Sequence, residues 1–175
     1  ACQQGYWETA KTLIKGGADV NKATNDGLTP LMLATWSDNE EIVSFLLKNG
    51  ADPNVSNEHG FPPLHRAAHN DNTTIISLLL NAGAEIDART KDNDTPPPLW
   101  FAVRNANDKS TDLLIEKGAN VNIGLTDGHS PLHAACEQGA WEIAKILIEA
   151  GADVNKERND GITPLIFATW SDNEE

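Results

Sequence analysis

Residues 130–135 read Ser-Pro-Leu-His-Ala-Ala, and residues 63–68 read Pro-Leu-His-Arg-Ala-Ala. Each motif stands in the same larger order: a polar turn with Gly, a Pro-Leu start, a short apolar segment, a second polar turn, a second apolar segment and Gly-Ala. The units are 33 to 35 residues long, and a sequence that repeats with such a period is typical of a repeat architecture. We predict one repeat array over residues 1–175, with full units at 26–58, 59–91, 92–126 and 127–159 and partial units at 1–25 and 160–175.

Local chemistry predicts that each unit holds two helices. Thr29 can cap the first helix with its hydroxyl, and Pro30 suits the first helical position because its missing N–H costs nothing there. Asn39 can cap the second helix. Gly50 suits the left-handed residue that follows a helix end. Apolar residues at spacings of three and four then place one face of each helix against the other; in the first full unit these are Leu31, Ala34, Ile42, Val43, Leu46 and Leu47.

These motifs are similar to those of the ankyrin repeat family across essentially the whole chain. The Thr-Pro-Leu-His-x-Ala signature is matched best at residues 130–135 and 63–68, and the Gly-Ala-Asp-Val-Asn signature at 17–21 and 151–155. Met32, Trp100 and Ile166 replace the motif His, and Pro97 and Pro98 lengthen one unit. The resemblance implies an all-α solenoid of helix-turn-helix units joined by β-hairpin-like loops.

A second, longer period overlies the first. Residues 1–41 match residues 135–175 at 30 of 41 positions, whereas the adjacent units 26–58 and 59–91 share 12 of 33. The module that repeats is therefore four units long, with a period of 134 residues. We expect the chain to be a window on a longer tandem array.

Composition and charge limit the function. Asp and Glu number 26 against 13 Lys and Arg, and the net charge of −13 opposes nucleic acid and anionic membrane surfaces. It favours a protein partner with a basic patch. No apolar stretch is long enough to span a bilayer, and no leader peptide is recognisable at the start. No nucleophile lies beside a base, and no phosphate-cradling loop is present, so we predict no enzyme and no cofactor.

The family resemblance implies that hairpin turns and first helices line a concave groove that binds proteins. Trp and Phe on such a strip offer large contact area, as binding hot spots do; the alternative for Trp36 is that it shields the helix pair below it. The positions of this chain that match the groove are Leu28, Trp36, Ser37, Phe61, His69, Asn70, Asp94, Arg104, Asn105, His129, Glu137, Gln138, Ile162, Trp170 and Ser171.

Other candidate sites have plainer explanations. His65 and His69 are four residues apart on one predicted helix, but no further Cys or His completes a zinc set, so we predict no metal. Cys2 and Cys136 occupy the same place in successive modules and are too far apart for a disulfide. We predict that they fill small core sites. Trp7 and Trp141 are expected to pack a second helix against its neighbour.

The amides that recur in the loops have two interpretations. Asn21, Asn54, Asn122 and Asn155 stand where some ankyrin repeats resemble substrates of an asparaginyl hydroxylase. The plainer expectation is that these amides bridge neighbouring loops.

Two main functions follow from the sequence. The first is a non-enzymatic scaffold that binds a protein through the groove. The second is a structural array whose ends stack on further copies of itself into a filament. A third reading, an arm that carries another domain, stays open.

Overall fold

The computed structural model describes residues 2–57, 60–89 and 95–170, with residues 2–6 described by their backbone alone. Helices account for the regular structure of these residues, and no strand is found among them. The helices are α1 (Cys2–Lys15), α2 (Pro30–Trp36), α3 (Glu40–Lys48), α4 (Pro63–His69), α5 (Thr73–Asn81), α6 (Pro98–Arg104), α7 (Asp108–Glu116), α8 (Pro131–Glu137), α9 (Trp141–Glu149) and α10 (Pro164–Trp170).

The helices form two rows. In one row the short helices α2, α4, α6, α8 and α10 pack in chain order, each against the next. In the other row the longer helices α3, α5, α7 and α9 do the same, and each also packs on the short helix that precedes it. In the part of the chain that the structure describes, each helix pair therefore packs mainly on its own partner and on its neighbours, which is the arrangement of a solenoid.

The predicted helix ends are confirmed. The Thr29 hydroxyl accepts a hydrogen bond from Met32 N at 3.3 Å, and Asn39 Oδ1 accepts one from Ile42 N at 3.0 Å. Gly50 follows α3 with a φ of 86°, in the left-handed region that favours glycine. The three adjacent prolines leave α6 regular, because Pro97 serves as its cap and Pro98 takes its first position.

The loops between units close with hairpin-like hydrogen bonds. Backbone N–H groups donate across the turn to a carbonyl four residues later, from Thr24 to Leu28, from Leu125 to His129 and from Arg158 to Ile162. Gly124 lies so close to the returning backbone that an added Cβ would stand 2.0 Å from His129 O. This loop therefore has room for a glycine and for no larger residue at that position.

The core runs between the two rows and weakens at the ends. The small residues Ala67, Ala102 and Ala135 are fully buried and let adjacent helices approach closely, whereas their counterpart Ala168 in α10 is exposed. Trp7 packs as predicted. The same prediction is wrong for Trp141, which is exposed because no helix among the described residues follows α10 to cover it.

The side chains of Asn21, Asn54 and Asn122 bridge neighbouring loops, as the plainer expectation held, whereas Asn155 makes no such bridge among the described residues. Each of these three amides donates through Nδ2 to the carbonyl of the glycine that follows the second helix of the next unit, and accepts through Oδ1 from a backbone N–H two residues beyond that glycine. The donor distances are 3.0 Å from Asn21 to Gly50, 2.9 Å from Asn54 to Gly83 and 3.1 Å from Asn122 to Gly151. The acceptor distances are 2.8 Å to Asp52 N, 2.9 Å to Glu85 N and 2.8 Å to Asp153 N.

We expect Asn54→Ala to lower the free energy of unfolding by about 2 kcal/mol, because a donor and an acceptor of the next loop both lose their partner. Asn54→Asp should lower the free energy of unfolding by less, because a carboxylate can still accept the hydrogen bond. Asp87, which stands at the same place in the next unit, accepts from Asn120 N at 3.1 Å with its carboxylate. Urea denaturation of both variants measures the difference.

Asn155→Ala is the matched control. Asn155 lies in the last loop, and its side-chain amide has no partner among the described residues. Removing this amide should change the free energy of unfolding by less than about 0.5 kcal/mol. Equal losses at residues 54 and 155 would show that the bridging hydrogen bonds do not contribute.

Candidate binding surface

Helices α2, α4, α6, α8 and α10 pack in one row, and we name their exposed sides, together with the tips of the loops between units, the first-helix face. It contains a cavity of about 260 Å³ above α4, which we name the α4 cavity. Trp36 of α2 and Phe101 of α6 stand on its lining with three side chains of α4. The full lining is Trp36, Asn57, Phe61, His65, Arg66, His69 and Phe101.

Three aromatic rings that contact one another form part of the wall of the α4 cavity. Phe61, His65 and Phe101 contact one another edge to face, with centroids 5.6, 5.7 and 5.8 Å apart. Such pairs contribute beyond the area that they bury. The same type of contact continues along the array from Phe101 to Trp100, then to His129, and from His129 to Phe167. The wall of the cavity is therefore part of a chain of rings that crosses four units.

His65 is buried and electrically neutral. Its Nε2 donates to Pro96 O at 3.1 Å, so its Nδ1 must accept, yet Nδ1 has no partner. Burial lowers the pKa of this imidazole to about 4, because the charged form would lose its hydration. The missing partner has a local cause: the residue that caps α4 is Pro62, which has no hydroxyl.

His133 shows what the capping residue normally supplies. It holds the same place in α8 as His65 holds in α4, and there the cap is Ser130. The Ser130 hydroxyl lies 2.8 Å from His133 Nδ1, while His133 Nε2 contacts Ile162 O at 3.1 Å. Both imidazoles thus link one unit to the next.

A second polar cluster joins α6 to α8. Arg104 Nη1 lies 3.1 Å from Glu137 Oε2, and the guanidinium stacks 5.4 Å from the Trp100 ring centroid. Trp100 Nε1 donates to His129 Nδ1 at 3.4 Å, which leaves His129 Nε2 facing Glu137 at 3.7 Å. Burial lowers the pKa of His129, and the Glu137 carboxylate opposes that shift.

The structure brings several predicted contact residues together. Trp36, Phe61 and His69 share the α4 cavity, and His69 Nδ1 also lies 2.6 Å from Asn105 Nδ2. Asn70 Nδ2 donates to Asp38 of the preceding unit at 2.9 Å. The exposed members of the set are Trp36, Ser37, His69, Arg104, Asn105, Gln138 and Trp170, and the half-buried ones are Leu28, Phe61, Asn70, Glu137 and Ile162.

Three predicted residues do not fit that picture. His129 is buried beneath Trp100, Glu137 and Phe167, so the expectation that it faces a partner is wrong. Asp94 and Ser171 lie outside the described residues.

Sequence reasoning missed Phe101, Phe167 and Arg66. All three occupy the variable position that follows the motif His, and Phe101 and Arg66 line the α4 cavity. The sequence did contain a signal for these three residues. Each one follows the helix position of the motif His and stands three residues before an exposed position of the same helix, so it lies at the border of the exposed side. A large side chain there reaches the first-helix face.

Other chemistry-bearing groups are dispersed. Within residues 2–57, 60–89 and 95–170, no three His, Cys, Asp or Glu side chains gather as metal ligands would. Cys136 is half-buried against the core, and burial raises the pKa of its thiol. The side chain of Cys2 is outside the description. None of the helices described is both long and apolar enough to cross a bilayer.

Comparison with known families agrees with this architecture. A family model described as ankyrin repeats matches three times, over residues 1–57, 50–124 and 99–175, and so covers the whole chain. The chain belongs to the ankyrin repeat family. Ankyrin repeats generally mediate protein–protein interaction, and the family is typically non-enzymatic. No curated protein matches this ankyrin array in sequence.

His65 makes the stability of the array depend on pH. Its pKa is about 4 in the folded state and 6.5 when unperturbed, so the unfolded chain binds more protons between these values. The stability that neutral His65 gives the folded state is fully present above pH 6.5 and is lost as the pH falls toward 4. We expect the free energy of unfolding to drop by about 2 kcal/mol between pH 7 and pH 5 through this group.

Urea denaturation of the wild type and of His65→Gln at both pH values measures this contribution. The variant should lose the part of the pH dependence that His65 causes and keep the part from His129 and His133, whose pKa values burial also lowers. An unchanged pH dependence in His65→Gln would contradict the assignment.

Proposed function

We propose that this chain is a non-enzymatic scaffold that binds another protein through the first-helix face, which forms the concave groove of the array. The proposal treats residues 1–175 as one array with units at 26–58, 59–91, 92–126 and 127–159. The observation that carries it is the α4 cavity, where three predicted contact residues meet, Phe61, His69 and the exposed Trp36.

The size and lining of the α4 cavity suit one anchoring side chain. A volume of about 260 Å³ is below the usual range for small-molecule sites, but it accommodates an aromatic or leucine side chain of a protein partner. Trp36, Phe61 and Phe101 supply apolar walls, and neutral His65 adds no charge. Binding hot spots are built in this way, from rigid rings that exclude water around one anchor.

The charge of the whole chain favours a partner with a basic patch. A net charge of −13 attracts a cationic surface over distances up to the Debye length and raises the rate of encounter. Such attraction weakens with added salt. The affinity should therefore have two parts, an apolar anchor in the α4 cavity and a salt-sensitive attraction outside it.

Selection of binders from a displayed peptide library tests the proposal. We expect selected peptides to lose at least about tenfold in affinity for Trp36→Ala and for Phe101→Ala, since each removes a wall of the cavity. Their association rate should fall as salt is raised. Circular dichroism and the midpoint of thermal unfolding establish that each variant remains folded.

Trp141→Ala is the matched control, because Trp141 is equally an exposed tryptophan but lies on α9, away from the cavity. It should leave the affinity unchanged. Binders that tolerate Trp36→Ala and Phe101→Ala, or that lose affinity equally for Trp141→Ala, would contradict binding at the first-helix face.

A second candidate function is end-to-end assembly. Leu13 at one end and Leu165 at the other are 60% and 70% exposed, so both ends present apolar side chains that a further copy could cover. Electron microscopy separates the candidates: fibres with a repeat of roughly 40 Å, four units at helix-packing distance, favour assembly, and dispersed particles favour the scaffold.

A further inference from the structure

The α4 cavity carries a positive charge in a chain that is strongly acidic. Asp and Glu outnumber Lys and Arg by 26 to 13, and the net charge is −13. Yet among the described residues the lining of the cavity contains no Asp or Glu and one guanidinium, that of Arg66. The cavity lies inside the array, with α2 and α6 packed on either side of α4. The charge at this place is therefore opposite in sign to the charge of the chain.

The Arg66 guanidinium is exposed and has no hydrogen-bonding or ion-pair partner in the part of the chain that the structure describes. Arg104 of α6 shows the contrast. Its Nη1 lies 3.1 Å from Glu137 Oε2, and its guanidinium lies 5.4 Å from the centre of the Trp100 ring. The charge of Arg104 is thus used within the array, whereas the charge of Arg66 is available to a ligand.

The imidazole of His69 is a second unpaired donor of the lining. Asn105 Nδ2 lies 2.6 Å from His69 Nδ1, and since an amide nitrogen only donates, Nδ1 accepts and the ring proton is on Nε2. His69 Nε2 has no partner among the described residues. Arg66 and His69 are three residues apart on α4, so their side chains are neighbours on one side of the helix.

These two donors determine what the cavity can recognise. A guanidinium offers a rigid fork of N–H groups that matches both oxygens of a carboxylate, and an imidazole N–H beside it can donate to one of them. His65 Nδ1 is an unpaired acceptor of the lining, but it has no contact with solvent and a bound side chain does not reach it. A ligand therefore has to bring acceptors, placed next to the apolar group that contacts the aromatic walls.

We propose that the partner segment held at the α4 cavity carries an acidic side chain, Asp or Glu, beside its apolar anchor, and that Arg66 and His69 bind its carboxylate. The inference rests on the proposed function, because it names the chemistry of the partner at that same site. The partner is then basic where it faces the acidic body of the chain and acidic at one position. That position fixes the register of the segment in the groove, as complementary charges do at interfaces.

An acidic side chain fits this place better than a free carboxyl terminus does. Terminal carboxylates are captured by backbone N–H groups, and the N–H of Phe61 at the cavity already donates to Asn57 Oδ1 at 3.1 Å. The first-helix face also continues past the cavity on both sides, over α2 and over α6 to α10. A partner segment can therefore run across the cavity and does not have to end there.

Two parallel selections from one displayed library of random peptides test the proposal, with the wild type and Arg66→Gln as targets. We expect peptides selected on the wild type to carry Asp or Glu close to an apolar residue. Peptides selected on Arg66→Gln should keep the apolar residue and lose the acidic one. The variant should remain folded by circular dichroism, because Arg66 has no hydrogen bond or ion pair with the described residues.

A double-mutant cycle on the selected peptides measures the contact, with both peptide ends blocked so that no terminal carboxylate is present. Replacing the acidic residue of the peptide by its amide should weaken binding to the wild type about fivefold and change binding to Arg66→Gln by less than about twofold. The net charge of −13 alone predicts the opposite sign, because it repels an acidic peptide and the amide would bind more tightly.

Arg104→Gln is the matched control. Arg104 lies on the same face, but it is outside the cavity lining and is paired with Glu137. The loss on replacing the acidic residue of the peptide by its amide should therefore persist at about fivefold in this variant.

The outcomes separate this inference from the proposed function. An amide peptide that binds the wild type as well as the acidic peptide does, or a loss that persists in Arg66→Gln, would overturn the inference. Binding that requires a free terminal carboxylate would also overturn it, since the occupant would then be a chain end. If such peptides still depend on Trp36 and Phe101, the proposed function stands. Peptides that depend on neither ring would overturn both.

Discussion

The burial of each helix pair against its neighbours is the interaction on which this structure depends. Ile75 and Leu79 of α5 are fully buried because a pair stands on either side of them. Leu165 has the sequence context of a core residue but lies exposed, since among the described residues α10 packs on α8 and no helix covers its other side. Within residues 2–57, 60–89 and 95–170, no distant helix folds back onto α10. Stability is therefore a sum of local terms, and the array is strongest in its middle.

Polar groups determine how accurately the units align. Burial of apolar area is non-directional, so it does not fix the rotation between adjacent units. The loop asparagines, the motif histidines and the chain of rings from Phe61 to Phe167 all cross unit boundaries with defined geometry. These contacts maintain the register in which Trp36, Phe61 and Phe101, from three units, form one cavity. Fold and candidate site thus rest on the same contacts.

The sequence predicted what depends on neighbours along the chain. Helix caps, the glycine after α3, the buried alanines and the loop amides all follow from spacing within one unit. Features that depend on the next unit were predicted less well. The burial of His129 results from Trp100 and Phe167 of adjacent units, and the exposure of Trp141 from the lack of a covering helix among the described residues. The cavity was not predicted because one of its walls is Phe101, and the type of residue at this position of the motif varies from unit to unit.

Native-state hydrogen exchange measured helix by helix tests the central claim most directly. Because each pair is stabilised only by its neighbours, the amides of α4 to α7 should exchange most slowly and those of α10 fastest. α8 and α9 should lie between these limits. Equal protection from α4 through α10, as expected for one globally cooperative core, would contradict the account.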